Sequence, residues 1–316
     1  MFCFSGGCPP SAILQPPENL VGQKLFMENS VKNSLAIQPF YAQIGLLSLA
    51  FLALYYPFIT TLVRDWDTNE SYSQGYFIPF VSAYMIWSLR GELAATELKP
   101  SNWGLALVAL GLLQLFVAKV GSEFFLQRTS MIVVLFGLSF FLFGRRATRA
   151  VWLPLVYLIY MIPLPAIIWN RIAFPMQLFA SALTEDVVRF IGIPIFREGN
   201  VLHLAETTLE VVEACSGLRS LVNLLALGTA FGFIVNKETW KRWVLFLSAF
   251  PIAIVVNIIR LTVTAILASR YGSEVAHGFL HDFSGWLVFV AGIGLLIGVQ
   301  VFLGKINSRK IRRNMS

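Results

Sequence analysis

Between Phe40 and Leu303 the chain is almost a continuous series of apolar runs, most of them close to the roughly 20 residues that a helix needs to cross a bilayer core. No water reaches that core, so each run must satisfy its own backbone N–H and C=O groups by folding as a helix. Composition agrees: only 13% of the 316 residues are charged and 57% are hydrophobic, whereas a soluble domain carries roughly a quarter charged residues. The fold class that follows is all-α and polytopic, with about eight transmembrane helices. The expected spans are 40–63, 76–89, 103–119, 129–143, 151–169, 218–235, 243–269 and 283–303. They make one transmembrane domain, 40–304, between an N-terminal tail, 1–39, and a basic C-terminal tail, 305–316.

The net charge of +7 does not point to nucleic acid, because the basic residues cluster at the ends of the apolar runs and in the tail "GKINSRKIRRNMS". With both termini inside, "RGELAATELK", "GRRATR", "NKETWKR" and both tails all fall in the cytoplasm, and the positive-inside rule is met at each. The outer loops then carry carboxylates and all three histidines. The first residues, "MFCFSGGCPPSAILQPPENLVGQK", lack the basic start, apolar core and small-residue cleavage site of a signal peptide.

The outer stretch from Asn170 to Ala214 is too polar for another span. In 171–191, Ile172, Phe174, Leu178, Phe179, Leu183, Val187 and Phe190 recur at helical spacing against Gln177, Ser181, Glu185, Asp186 and Arg189. An extracytoplasmic amphipathic helix at the interface is expected there. The following "IPIFREGNVLHLAETTLEVVEA" has Gly-Asn turn chemistry between short alternating runs, which predicts a small β-hairpin before the sixth span.

Cys215, in "LEVVEACSGLRSL", is thereby placed on the outer face at the first turn of that span. Helix N-termini favour the thiolate, so this is a nucleophile's position, although a small buried side chain in a cap is the equal alternative. On this topology Cys3 and Cys8 lie across the membrane and cannot pair with it. Arg260, in "VVNIIRLTVTAIL", sits inside an apolar run about nine residues, or roughly 14 Å, from the outer end of its helix. Such a cation faces a polar cavity and serves function, or else is a structural charge with a paired partner. His277 and His281, in "HGFLHDFSGW", precede the last span on the same outer side, and histidine is the usual base beside a nucleophilic cysteine. His203, in the expected hairpin, needs no role. Cys215, His277 and His281 would supply three zinc ligands, but no HExxH arrangement accompanies them, and no metal or other cofactor is expected. Ser216-Gly217 leaves open a rhomboid-like serine protease with Ser216 as nucleophile. A non-enzymatic transporter or scaffold for exported polysaccharide is a further alternative, though the pseudo-symmetric halves that support alternating access are not evident.

Three stretches in order, "EACSGLRSL", "NIIRLTVTAILA" and "HDFSGWLVF", together with "YMIPLPAIIWNRIAFPMQLFAS" and "SYSQGYFIPF", resemble the exosortase/archaeosortase family of membrane cysteine transpeptidases from about Phe40 to Leu303. The resemblance implies a catalytic set of Cys215, Arg260 and His281, the histidine being assigned through the "DFSGW" that follows it, with His277 one turn earlier in reserve. The family often has a histidine where this chain has Gln74. It also implies the partner: an exported protein with a C-terminal tail of short Pro-containing motif, transmembrane helix and basic cluster, as in PEP-CTERM proteins. Cleavage at the outer face of a bacterial inner membrane, through a Cys215 thioester resolved by an amine or other acceptor, is the implied activity. Arg260 is then an oxyanion stabiliser or a partner of the thiolate.

Overall fold

The computed structural model describes residues 18–205, 207–211, 216–271 and 279–314, with side chains described for 42–69, 71–205, 207–211, 216–270 and 285–305. The chain divides into two compact units, 1–56 and 57–316. Helix α1, Glu18–Thr68, begins upstream of the expected first span, and its 42–68 portion has a mean hydropathy of 1.9. A 3-10 segment, Glu70–Tyr76, follows it, then α2 (Ile78–Ser88), α3 (Arg90–Ala95), α4 (Trp103–Val120), α5 (Phe124–Tyr157) and α6 (Ala166–Phe190). Three short strands, β1 (Ile195–Glu198), β2 (Val201–Leu204) and β3 (Thr208–Glu210), precede α7 (Leu218–Val235), α8 (Thr239–Tyr271) and α9 (Phe279–Asn314).

Among the described residues six helices are long and apolar enough to cross a membrane: 42–68, 103–120, 124–161, 218–235, 239–270 and 285–305. The protein is therefore a multi-pass, mostly helical membrane protein. Six helices meet that length where about eight spans are expected, because one expected run is short and two others are contiguous. The second expected run folds as α2, only 11 residues long and too short to span alone. The fourth and fifth are contiguous helices that turn back at Gly144 (φ 81°, ψ 179°), immediately before Arg145, Arg146 and Arg149, so that Ser139 and Thr148 are hydrogen-bonded and Phe125 and Pro163 line one cavity. A Cβ at 144 would run into the carbonyl oxygen of Lys99, so no other residue fits that bend.

Glycines also set how close α4 and α5 lie. A Cβ at Gly137 would stand 2.6 Å from the backbone nitrogen of Val108, and one at Gly104 would meet the backbone of Phe141. In a membrane, where helices gain little from excluding water, such backbone approach supplies the packing energy. Helices α7, α8 and α9 form a second packed group in which α7 and α9 run parallel. Leu224 of α7 packs on Gly292 of α9, and further along Asn236 and Gln300 exchange two carboxamide hydrogen bonds of 2.8 and 3.0 Å.

The strands form one antiparallel sheet, β1-β2-β3, with Ile195 opposite Leu204 and Leu202 opposite Leu209. Gly199 (φ 63°) and Asn200 make the expected turn, and a third strand extends the expected hairpin. Leu202, Leu204 and Val211 from the sheet join Ala180 and Val188 of α6 and Leu261, Ala265 and Ala268 of α8 in one apolar cluster. Helix α6 is amphipathic as expected. Gln177, Ser181 and Thr184 are buried against protein, while Phe174, Phe179 and Phe190 point outward. Ala180 and Val188 pack inward beside them, and Asp186 and Arg189 are exposed on the same side as the phenylalanines.

Candidate active site

Cys215 and His277 lie outside the described residues, as does the side chain of His281. What the structure gives is the frame around them. The sheet carries the chain across the end of α8 and fixes it through Val211, which is 2% exposed and whose N–H donates to the Asn200 carbonyl oxygen over 2.8 Å. On the other side of the cysteine, Ser216 and Gly217 turn the chain into α7. Ser216 is 2% exposed, and its Oγ accepts a hydrogen bond from the N–H of Leu218 (3.2 Å). Gly217 caps α7 in the left-handed region (φ 79°).

That turn rests directly on α8. A Cβ at 217 would lie 2.9 Å from Cγ of Asn257, a buried residue one turn before Arg260 on the same helix. Arg260 is half-buried and stands about three turns, or roughly 16 Å of helix, before the last residue of α8. Because α9 runs parallel to α7, its first turns, with the backbone of His281, lie at the same end of the bundle. A cavity of about 180 Å³ opens beside the turn between α6 and α8, lined by Pro175, Met176, Phe179, Ser216, Gly217 and Asn257 among others.

A second set of contacts ties the end of α1 to the same region. Ser71, in the 3-10 segment after α1, accepts a hydrogen bond from Nε of Arg219 (3.1 Å), in the first turn of α7. The indole of Trp66 donates to the Met161 carbonyl oxygen (2.8 Å), and the Tyr72 hydroxyl accepts from the N–H of Leu164 (3.2 Å). Arg128, near the start of α5, is buried and pairs with Asp65 at 2.6 Å. Tyr76 donates to Asp67 (2.6 Å), and that bond to a carboxylate pushes its phenol above the ordinary value. Gln74 lies in this segment; both polar atoms of its carboxamide are buried, and they meet no hydrogen-bond partner among the described residues.

Of the residues singled out from sequence, the structure brings the backbone following Cys215 onto the helix of Arg260. His203 stands apart, on the open face of the sheet, stacked on Phe196 and 3.6 Å from the Glu198 carboxylate. Asn257, Ser71 and Arg219 join the frame through contacts that the sequence does not announce. Asn257 is a polar residue three positions before Arg260 in an apolar helix, and Ser71 and Arg219 fall in two of the stretches that resemble the family, although their pairing across 148 positions carries no signal. No group of three or more His, Cys, Asp or Glu arranged to hold a metal occurs among the described residues.

Residues 66–298, most of the chain, match the family model described as transmembrane exosortase, and the match includes Ser71, Gly217, Asn257 and Arg260. No curated protein and no solved structure matches the chain.

Proposed function

We propose, from the premise that this chain belongs to the transmembrane exosortase family, that it is a cysteine transpeptidase with Cys215, Arg260 and His281 as its catalytic residues. Its substrates are exported proteins that end in a short sorting motif, a transmembrane helix and a basic cluster. The observation that carries the reading is the seating of Gly217 on Asn257, which sets the backbone beside the cysteine one helical turn from Arg260.

The thiolate of Cys215 attacks the carbonyl carbon of the scissile peptide bond. A thioester forms, and the C–N bond breaks to release the tail as an amine. His281 takes the thiol proton and returns it to that leaving nitrogen. The Arg260 guanidinium carries a permanent charge on a planar fork, suited to an oxyanion or to the thiolate. An acceptor amine then attacks the thioester, regenerating the thiol. Anchoring enzyme and substrate in one bilayer supplies effective concentration without a deep groove. Both termini lie in the cytoplasm and the site at the outer face of the inner membrane, a reading that the distribution of the basic loops supports.

Ser216 is a poorer nucleophile candidate, because its hydroxyl is buried and bonded to the turn it stabilises. Co-expression with an exported protein bearing a tripartite tail tests the reading: the tail is lost with the parent enzyme and kept with Arg260→Met at equal membrane levels. Tail loss undiminished in Arg260→Met would make the arginine structural.

A further inference from the structure

The end of the bundle that holds the first turn of α7 also holds a larger cavity, about 520 Å³, within the usual range for a small-molecule site. One wall is the rigid run Pro163, Leu164 and Pro165, fixed through Leu164 to Tyr72. The ion pair of buried Arg128 with the partly exposed Asp65 lines it, and so do Arg64 and Glu123, two exposed side chains without an ion-pair partner among the described residues. Phe124 forms an apolar rim, 61% exposed, next to Val120, 74% exposed.

We propose that this cavity binds the headgroup of a zwitterionic phospholipid with a primary amine. A simple anion would be drawn to Arg64 and Arg128 but repelled by Glu123 and Asp65, and a simple cation would meet the reverse. A phosphate and an ammonium joined by a short linker answer both signs at once. The position fits a lipid. Asp65 stands near the end of one spanning helix and Glu123 just before the start of another, at headgroup depth, with Phe124 and Val120 turned outward for acyl chains. This inference does not rest on the catalytic reading, and its test measures binding alone.

The test uses purified, delipidated full-length protein in detergent, titrated with short-chain phosphatidylethanolamine, phosphatidylcholine, phosphatidylglycerol and free phosphoethanolamine. Phosphatidylethanolamine should bind about tenfold more tightly than phosphatidylcholine, whose quaternary ammonium has no N–H to offer a carboxylate, and than phosphatidylglycerol. Arg64→Gln should weaken phosphatidylethanolamine and phosphatidylglycerol alike by about tenfold, and Glu123→Gln should abolish the preference between them. Both side chains are exposed, so an unchanged melting midpoint confirms folding of each variant. Equal affinity for the three lipids, no effect of either substitution, or free phosphoethanolamine binding as tightly as the lipid would each overturn the proposal.

Discussion

Gly217 and Asn257 are in contact at a point where no larger residue fits: the glycine has φ 79°, and a Cβ on it would stand 2.9 to 3.1 Å from three atoms of the asparagine side chain. Gly217→Ala therefore carries two costs, about 1–2 kcal/mol for an L-residue in the left-handed region and the displacement of Asn257. The expected outcome is a lower melting midpoint and tail cleavage reduced at least about tenfold. Adding Asn257→Ala should restore part of the stability by making room, leaving the backbone cost. A double variant no more stable than Gly217→Ala would show that the contact is not what limits the site.

Asp65 and Arg128 join the last turns of α1 to the first turns of α5. Arg128 is 7% exposed at its side chain and Asp65 42%, so removing the carboxylate strands a buried guanidinium while the converse loss is milder. Asp65→Ala should destabilise by roughly 1–3 kcal/mol, less than for a fully buried pair, and Arg128→Met combined with it should recover much of that loss. Thermal melts of the three variants in detergent measure the asymmetry. Equal stability of Asp65→Ala and the parent would contradict it.

What the sequence made legible was whatever depends on local pattern. The Gly199-Asn200 turn, the periodicity of α6 and the apolar helices all follow from spacing and turn chemistry, and the single charge at Arg260 stands out in its run. What depended on tertiary context was not legible. That α6 buries Ala180 and Val188 against the sheet and α8 depends on partners distant in the chain, which the periodicity of 171–191 does not name. Strand β3, Thr208–Glu210, is three residues of mixed polarity and forms because β2 offers it an edge. The link between Ser71 and Arg219 joins two of the stretches that resemble the family, but the sequence of neither says that they pair.

Gln74 offers a separate test of the region after α1. A buried carboxamide without hydrogen bonds costs stability, so Gln74→Met should raise the unfolding free energy by about 1–2 kcal/mol. A lower melting midpoint for Gln74→Met would show that the amide is bonded in the membrane-embedded protein.

Topology has its own measurement. In intact spheroplasts a membrane-impermeant thiol reagent should label Cys215 and leave Cys3 and Cys8 protected, if the N-terminal tail is inside as the positive-inside rule predicts from the basic loops. Labelling confined to the N-terminal pair would invert the orientation.

The central claim is that Cys215 is the nucleophile, and the most direct measurement is tail cleavage together with capture of the enzyme-linked intermediate. The parent and the Ser216→Ala, Cys215→Ser and Cys215→Ala variants are compared at equal membrane levels on one tailed substrate. The account predicts that the parent and Ser216→Ala release the tail and form a substrate adduct that hydroxylamine cleaves, as a thioester requires, and that both Cys215 variants release no tail and form no such adduct. Tail release by Cys215→Ala at the parent's rate, or its loss in Ser216→Ala with the protein folded and present, would contradict the account.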